Sequence, residues 1–217
     1  MAIAGLFAAL DFSNVPEEEF HDWYDNEHLP ERQRMPGFLT CERWIGVTQP
    51  KYSVGSYDLE STDVLRSAAY RAISFENASA RTKRVTGACT RLLRVECEQT
   101  LPGDQIASRE ADGLLLNAMN VAPEYEDEFN NWLDTEHIPA LAKVPGTMCA
   151  RRFLSRQGSH RYLAVYHLAS AEVVETPEWK QAARTPWTEK LLPHLRDRLR
   201  IVCRRYVPAK EDSGAAA

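Results

Sequence analysis

Two histidines, His28 and His137, stand in matching phrases of the chain. Residues 19–30 and 128–139 share the pattern Glu-Phe-x-x-Trp-x-Asp-x-Glu-His-x-Pro, identical at seven of twelve positions. In each phrase a glutamate (Glu27, Glu136) precedes the histidine, and an aspartate (Asp25, Asp134) lies three residues before it. An imidazole of near-neutral pKa beside carboxylates can move protons, which makes His28 and His137 candidate general acid/bases. Pro30 and Pro139 disfavour helical geometry at the residue before them, so a helix is expected to break just after each histidine. There the helix dipole would raise the histidine pKa. The competing structural role is capping of the last helical carbonyls.

The offset between the phrases is 109 residues, and it continues without a gap. Pro36-Gly37 falls on Pro145-Gly146, Arg43 on Arg152, Tyr57 on Tyr166 and Leu59 on Leu168. Tyr57 and Tyr166 are expected on the third strand of each half, Arg43 and Arg152 on the second. Strand side chains alternate between faces, so a tyrosine hydroxyl and a guanidinium on inward positions could hold an anionic or enolic substrate. Glu27 and Glu136 are candidate substrate contacts, against the alternative of solvated helix carboxylates paired with nearby basic residues. Trp23 and Trp132 read as core anchors bordering such a site. His167 stands where the first half has Asp58, so the two halves are chemically unequal.

The elements that position these residues repeat as well. Gly5–Phe12 and Gly113–Val121 are apolar without clean alternation, the signature of strands covered on both faces. Pro16 and Glu17, Glu18 and Glu19 open a helix, as Pro123 and Glu124 do later. Phe20, Trp23 and Tyr24, like Phe129, Trp132 and Leu133, fall at helical spacing. Two strands (38–48 and 52–60), a second helix (62–83; 171–192 in the other half) and a last strand (88–97; 198–206) follow. The order is β-α-β-β-α-β, the split ferredoxin-like unit. The chain divides into a first repeat over 1–98, a linker over 99–112 and a second repeat over 113–208. The tail, 209–217, reads as disordered. A sheet covered by helices on one face leaves the other bare, and two such sheets can bury those faces together. The expected fold class is therefore α+β: two ferredoxin-like βαββαβ repeats packed sheet to sheet as a pseudo-twofold α/β barrel, with its cavity between the halves.

Trp-x-x-x-Glu-His-x-Pro followed by Pro-Gly, inside a βαββαβ unit of this size, resembles the dimeric α/β-barrel superfamily, and within it the EthD-like branch. Here the resemblance implies a tandem intrachain duplication. It covers roughly residues 4–98 and 112–207. The superfamily includes cofactor-free monooxygenases, polyketide cyclases, muconolactone-isomerase-like enzymes, aldoxime dehydratases and haem proteins. What it implies is an enzyme, of lyase or isomerase type, acting on a small apolar oxygenated metabolite by histidine-mediated proton transfer. The rivals are a non-catalytic barrel that binds a hydrophobic ligand and a haem-binding or monooxygenase-type barrel. No cofactor is expected, with haem left open through one histidine as axial ligand.

Bulk properties narrow the classes further. The 217 residues carry a net charge of −5 with basic and acidic residues interspersed, which disfavours nucleic acid as a partner. No apolar run is long enough to span a bilayer. Five cysteines without a Cys-x-x-Cys read as reduced thiols of a cytoplasmic protein rather than disulfides or a metal site. Dinucleotide, P-loop, zincin and nucleophile-elbow motifs are missing. The expected partner is a small-molecule substrate, and any homo-oligomer should form through surfaces outside the barrel.

Overall fold

The computed structural model describes residues 2–208. The expected disordered tail, 209–217, lies outside them. The first half comprises β1 (Ala4–Asp11), α1 (Glu17–Trp23), α2 (Leu29–Gln33), β2 (Phe38–Gly46), β3 (Tyr52–Leu59), α3 (Ala68–Ala72), α4 (Ala80–Ala88) and β4 (Thr90–Leu101). The second half repeats the order: β5 (Gly113–Val121), α5 (Glu126–Trp132), α6 (Ile138–Ala142), β6 (Thr147–Gln157), β7 (Tyr162–Leu168), α7 (Pro177–Ala183), α8 (Pro186–Leu191) and β8 (Leu195–Arg205).

The eight strands close into an antiparallel barrel in the order β1-β3-β2-β8-β5-β7-β6-β4. Each half contributes a four-stranded sheet, 4-1-3-2 and 8-5-7-6, and helices cover the outer faces. Two seams join the halves. β4 pairs β6 at five positions from Glu96↔Gln157 to Leu101↔Arg152, and β2 pairs β8 at three, from Trp44↔Arg205 to Gly46↔Cys203.

β1 lacks alternation because it is buried twice. Phe7 and Ala9 point into the barrel, where Trp44, Val54, Val95, Leu114, Leu116, Phe153 and Val165 fill the interior. Phe7 meets Phe153 of the other half edge to face, centroids 5.0 Å apart. Leu6, Ala8 and Leu10 point instead toward the helices. The barrel interior is thus a packed core, and the expected cavity between the halves is replaced by side chains. One open space lies on the helix side of the first sheet, and another, of about 360 Å³, is bordered by Thr40, Glu42, Arg109 and Arg205.

Three other expectations need correction. The helix does not break after His28 or His137. A π-helical turn, Tyr24–His28 or Leu133–His137, joins α1 to α2 and α5 to α6 without leaving helical geometry. The amide of Leu29 bonds Tyr24 O, five residues back, and Ile138 bonds Leu133 O. Widening the turn by one residue takes up the missing N–H and the ring of Pro30 or Pro139. The second helix of each half is likewise not continuous. Ser67 and Ser79 start α3 and α4 by accepting from the amides of Tyr70 and Thr82, while Thr176-Pro177 and Thr185-Pro186 start α7 and α8. Third, β4 runs to Leu101, past the expected boundary at 98. The Gln99 side chain, buried at 2 % exposure, accepts from the amides of Gly103 and Gln105 and so holds the start of the linker against the barrel.

Candidate functional site

The π turn of the first half brings three polar aromatic groups to one place. Tyr24 and His28 bracket that turn, and Tyr57 reaches up from β3 beneath it. The Tyr57 hydroxyl lies 3.2 Å from the Tyr24 hydroxyl and 3.4 Å from His28 Nε2. The His28 ring leans on Trp23, centroids 4.7 Å apart. Its Nδ1 is buried without a partner.

Gly55, beside Tyr57 on β3, makes the cluster fit. A Cβ there would come within 2.6 Å of the Tyr24 hydroxyl and 2.8 Å of the Tyr57 hydroxyl, closer than real Cβ contacts. At the matching place the second half has Ala164, and the residue matching Tyr24 is Leu133, which has no hydroxyl to clash. Glycine at 55 and tyrosine at 24 therefore belong together.

The cluster opens on a cavity of about 310 Å³ between the outer face of the first sheet and the α3–α4 layer. Its apolar lining includes Leu6, Leu10, Trp23, Tyr70, Phe75 and Leu93. Arg32, Lys83, Arg91 and Arg94 also line it, and no carboxylate does. Glu31 pairs with Arg32 and Glu96 with Arg94 from outside the lining.

Burial, with Arg32 and then Arg43 nearby, holds the His28 pKa well below the ordinary histidine value. This reverses the expected dipole effect, because the helix continues past His28 and no free carbonyls face it. His28 is a neutral imidazole at neutral pH, able to accept a proton. Burial raises the Tyr57 pKa well above the ordinary phenol, and Tyr24 adds to it. Tyr57 thus stays protonated and can donate a hydrogen bond.

The equivalent space in the second half is full. Tyr162 stands where the first half has Ser53, Leu133 replaces Tyr24, Leu141 replaces Arg32 and Trp179 replaces Tyr70. All four are core residues. The His137 ring leans on Trp132, centroids 4.3 Å apart, and burial lowers its pKa to about 4. The Tyr166 hydroxyl is buried without a hydrogen bond, its ring against Trp179. A second groove of about 310 Å³ is lined by Ile138, Pro139 and Thr147 but not by His137.

The remaining candidates fall elsewhere. Arg43 and Arg152 face the helix layer rather than a shared interior, each 2.6–2.7 Å from an aspartate of the π turn, Asp25 or Asp134. Neither borders the cavity. Glu27 Oε1 accepts from the hydroxyls of Thr82 and Ser79 and so ties α4 to the first π turn. Glu136 accepts from Thr185 and ties α8 to the second π turn. Trp23 lines the cavity and donates to Thr82 Oγ1 at 2.9 Å, whereas Trp132 is enclosed in the second core. His167 is fully buried inside the barrel, 3.3 Å from Glu42.

Arg32, Ser53 and Tyr70 are not site candidates from sequence, and Tyr24 is read there only on the core face of its helix. The signal that marks them is the difference between the halves: four positions where the first half is small or polar and the second bulky or apolar.

Haem does not fit these residues. An axial ligand needs a ring nitrogen facing open space, but His28 Nδ1 is buried and Nε2 sits against Tyr57. No group of three or more metal-ligating side chains occurs among the described residues.

No family model matches the chain. No curated protein matches it either. Solved structures do. An anthrone oxidase-like protein is 16% identical with a TM-score of 0.66, covering 100% of this chain and 98% of that one. A candidate monooxygenase from Lactobacillus acidophilus NCFM is 12% identical, TM-score 0.60, covering 94% of each. Chlorite dismutase from Candidatus Nitrospira defluvii, in complex with imidazole, is 11% identical, TM-score 0.60, covering 94% and 91%. At these identities the likeness is one of fold, the dimeric α+β barrel.

Proposed function

We propose that the chain is an enzyme that moves a proton on a small apolar metabolite bearing oxygen, without a cofactor, in the cavity of its first half. The observation that carries the reading is the Tyr24–Tyr57–His28 hydroxyl–imidazole chain at the head of that cavity. In this reading His28, kept neutral by burial, acts through Tyr57: its Nε2 takes the phenol proton as the Tyr57 oxygen takes one from carbon or oxygen of the substrate. Tyr57, kept protonated, donates to the oxygen on which negative charge develops. Positioned acid–base groups of this kind contribute roughly 10²–10⁴-fold to a rate. The surplus of basic side chains in the lining favours a substrate that is an enolate, phenolate or carboxylate beside an apolar ring. Isomerisation, cyclisation or a lyase step fit this machinery equally.

An EthD-like origin and a tandem duplication belong to the same reading. They are supported by the repeated Trp-x-x-x-Glu-His-x-Pro phrase and the 109-residue offset. Among the described residues no helix is long and apolar enough to cross a membrane; a cytoplasmic enzyme of small-molecule metabolism that closes its own barrel is part of the same proposal.

The test is hydrogen–deuterium exchange at carbon. A panel of aromatic β-dicarbonyls, hydroxylated aromatic acids and unsaturated lactones is incubated with the protein in D₂O and followed by NMR. Exchange that falls about 100-fold in His28→Gln supports the reading. Compounds that raise the melting temperature but never exchange would make the first half a binding site only.

A further inference from the structure

The barrel interior is apolar except at one end, where four charged or titratable side chains from the two sheets meet. Arg151 Nη1 lies 2.7 Å from Asp58 Oδ1, with the two side chains 0% and 2% exposed. His167 Nε2 lies 3.3 Å from Glu42 Oε2, at 0% and 6%. Both pairs cross from one half to the other. Glu42 and Asp58 come from β2 and β3, Arg151 and His167 from β6 and β7.

The positions are equivalent. Adding 109 to 42 gives 151, and adding 109 to 58 gives 167. The strand registers agree: Asp58 pairs with Thr40 and His167 with Cys149, Glu42 with Ser56 and Arg151 with Val165. The pseudo-twofold axis therefore maps the Glu42–His167 contact onto the Arg151–Asp58 contact. The first half supplies both acids and the second half both bases.

We infer that these four residues select which sheets may close a barrel: the inner face of the first half fits the inner face of the second and rejects a second copy of itself. A barrel made from two first halves would put Glu42 of one against Asp58 of the other, twice. One made from two second halves would put Arg151 against His167, twice. Two buried carboxylates at these distances are strongly unfavourable, and two second halves would leave Arg151 beside an imidazole that burial disfavours as a cation, with no carboxylate for the guanidinium; the mixed pairing gives Arg151 its carboxylate. Arg205, 3.1 Å from Glu42, and the amide of Ala107, 2.6 Å from Asp58 Oδ2, add donors to the acidic side. Selection by repulsion of the wrong partner matters here because the two sheets share one topology and an apolar interior that would otherwise accept either.

The test uses the full chain. Arg151→Glu gives the second half the residue that the first half has at that position, so the variant reproduces the homotypic contact inside one molecule. Arg151→Gln removes the charge without inverting it. Asp58→Arg inverts the partner, and Asp58→Arg/Arg151→Glu restores an opposite-charge pair with its polarity reversed. Expected is a melting temperature lower by about 10 °C in Arg151→Glu, a smaller loss in Arg151→Gln, and a double variant more stable than either charge-inverted single variant. The inference is overturned if Arg151→Glu melts no lower than Arg151→Gln, or if the double variant is no more stable than Arg151→Glu and Asp58→Arg alone. If the charge-inverted single variants do not fold at all, recovery of a cooperative transition in the double variant decides the same question.

Discussion

Ser53 and Tyr162 occupy the same register position on β3 and β7, and the size of that side chain helps decide which half keeps a cavity. Ser53 lies across from Leu10 and Ile45, Tyr162 across from Met119 and Leu154. Ser53 lines the cavity, its hydroxyl buried without a hydrogen bond. The phenol fills its own half and donates to Glu126 at 2.5 Å.

Ser53→Tyr should therefore abolish ligand binding in the first half while leaving the fold intact. The expected result is loss of the thermal shift given by any ligand of the wild-type protein, with a melting temperature within about 4 °C of wild type. Unimpaired binding would place the ligand site elsewhere.

Replacing Tyr57 by Phe removes the hydroxyl between Tyr24 and His28 and keeps the ring. We expect turnover to fall roughly 100-fold with KM changed little, because the donor acts where charge develops rather than in ground-state binding. A change confined to KM would make Tyr57 a substrate contact only.

Gly55→Ala should push the two tyrosine hydroxyls apart and lower both stability and turnover. Adding Tyr24→Leu reproduces the pair found in the second half, Leu133 with Ala164. The double variant should recover its melting temperature but not its turnover. Failure to recover stability would show that Gly55 is required for another reason.

Burial lowers the His137 pKa from 6.5 to about 4. The folded state thus resists a proton that the unfolded chain accepts, and stability is lost as pH falls from about 6.5 toward 4. The contribution is at most about 3 kcal/mol. His28 acts in the same direction. Urea midpoints measured between pH 7 and pH 5 should fall less steeply in His137→Gln than in wild type; an unchanged slope would assign the acid sensitivity to other groups.

The order of elements was legible because the halves repeat, and the doubly apolar β1 pointed to two covered faces. The location of the cavity was not. Period-two alternation separates Arg43 and Tyr57 from Glu42 and Asp58, but it does not say which set faces the barrel when both faces are buried. The helix break was misread because Pro30 and Pro139 stop an α-helix yet are tolerated after a π turn, which has no compositional mark. The 109-residue offset also ends before the last strands. Gly5 pairs with Cys97 and its equivalent Leu114 pairs with Cys203, so β4 and β8 correspond at 106. His28 was visible from its repeated phrase; Ser53 and Tyr70 were visible only as differences between two halves that otherwise agree.

The seam between β2 and β8 is the thinner of the two that close the barrel. If it parts, two strand edges are bared at once, each with unpaired amides and carbonyls able to recruit another chain. One of those edges is already guarded. β8 carries Arg196, Arg198, Arg200, Arg204 and Arg205, and a strand so charged resists stacking on copies of itself. β2 has Glu42 and Arg43 among largely uncharged neighbours. The aggregation hazard of this protein thus rests on one strand of the first half, and it is the arginines of the second that keep it covered.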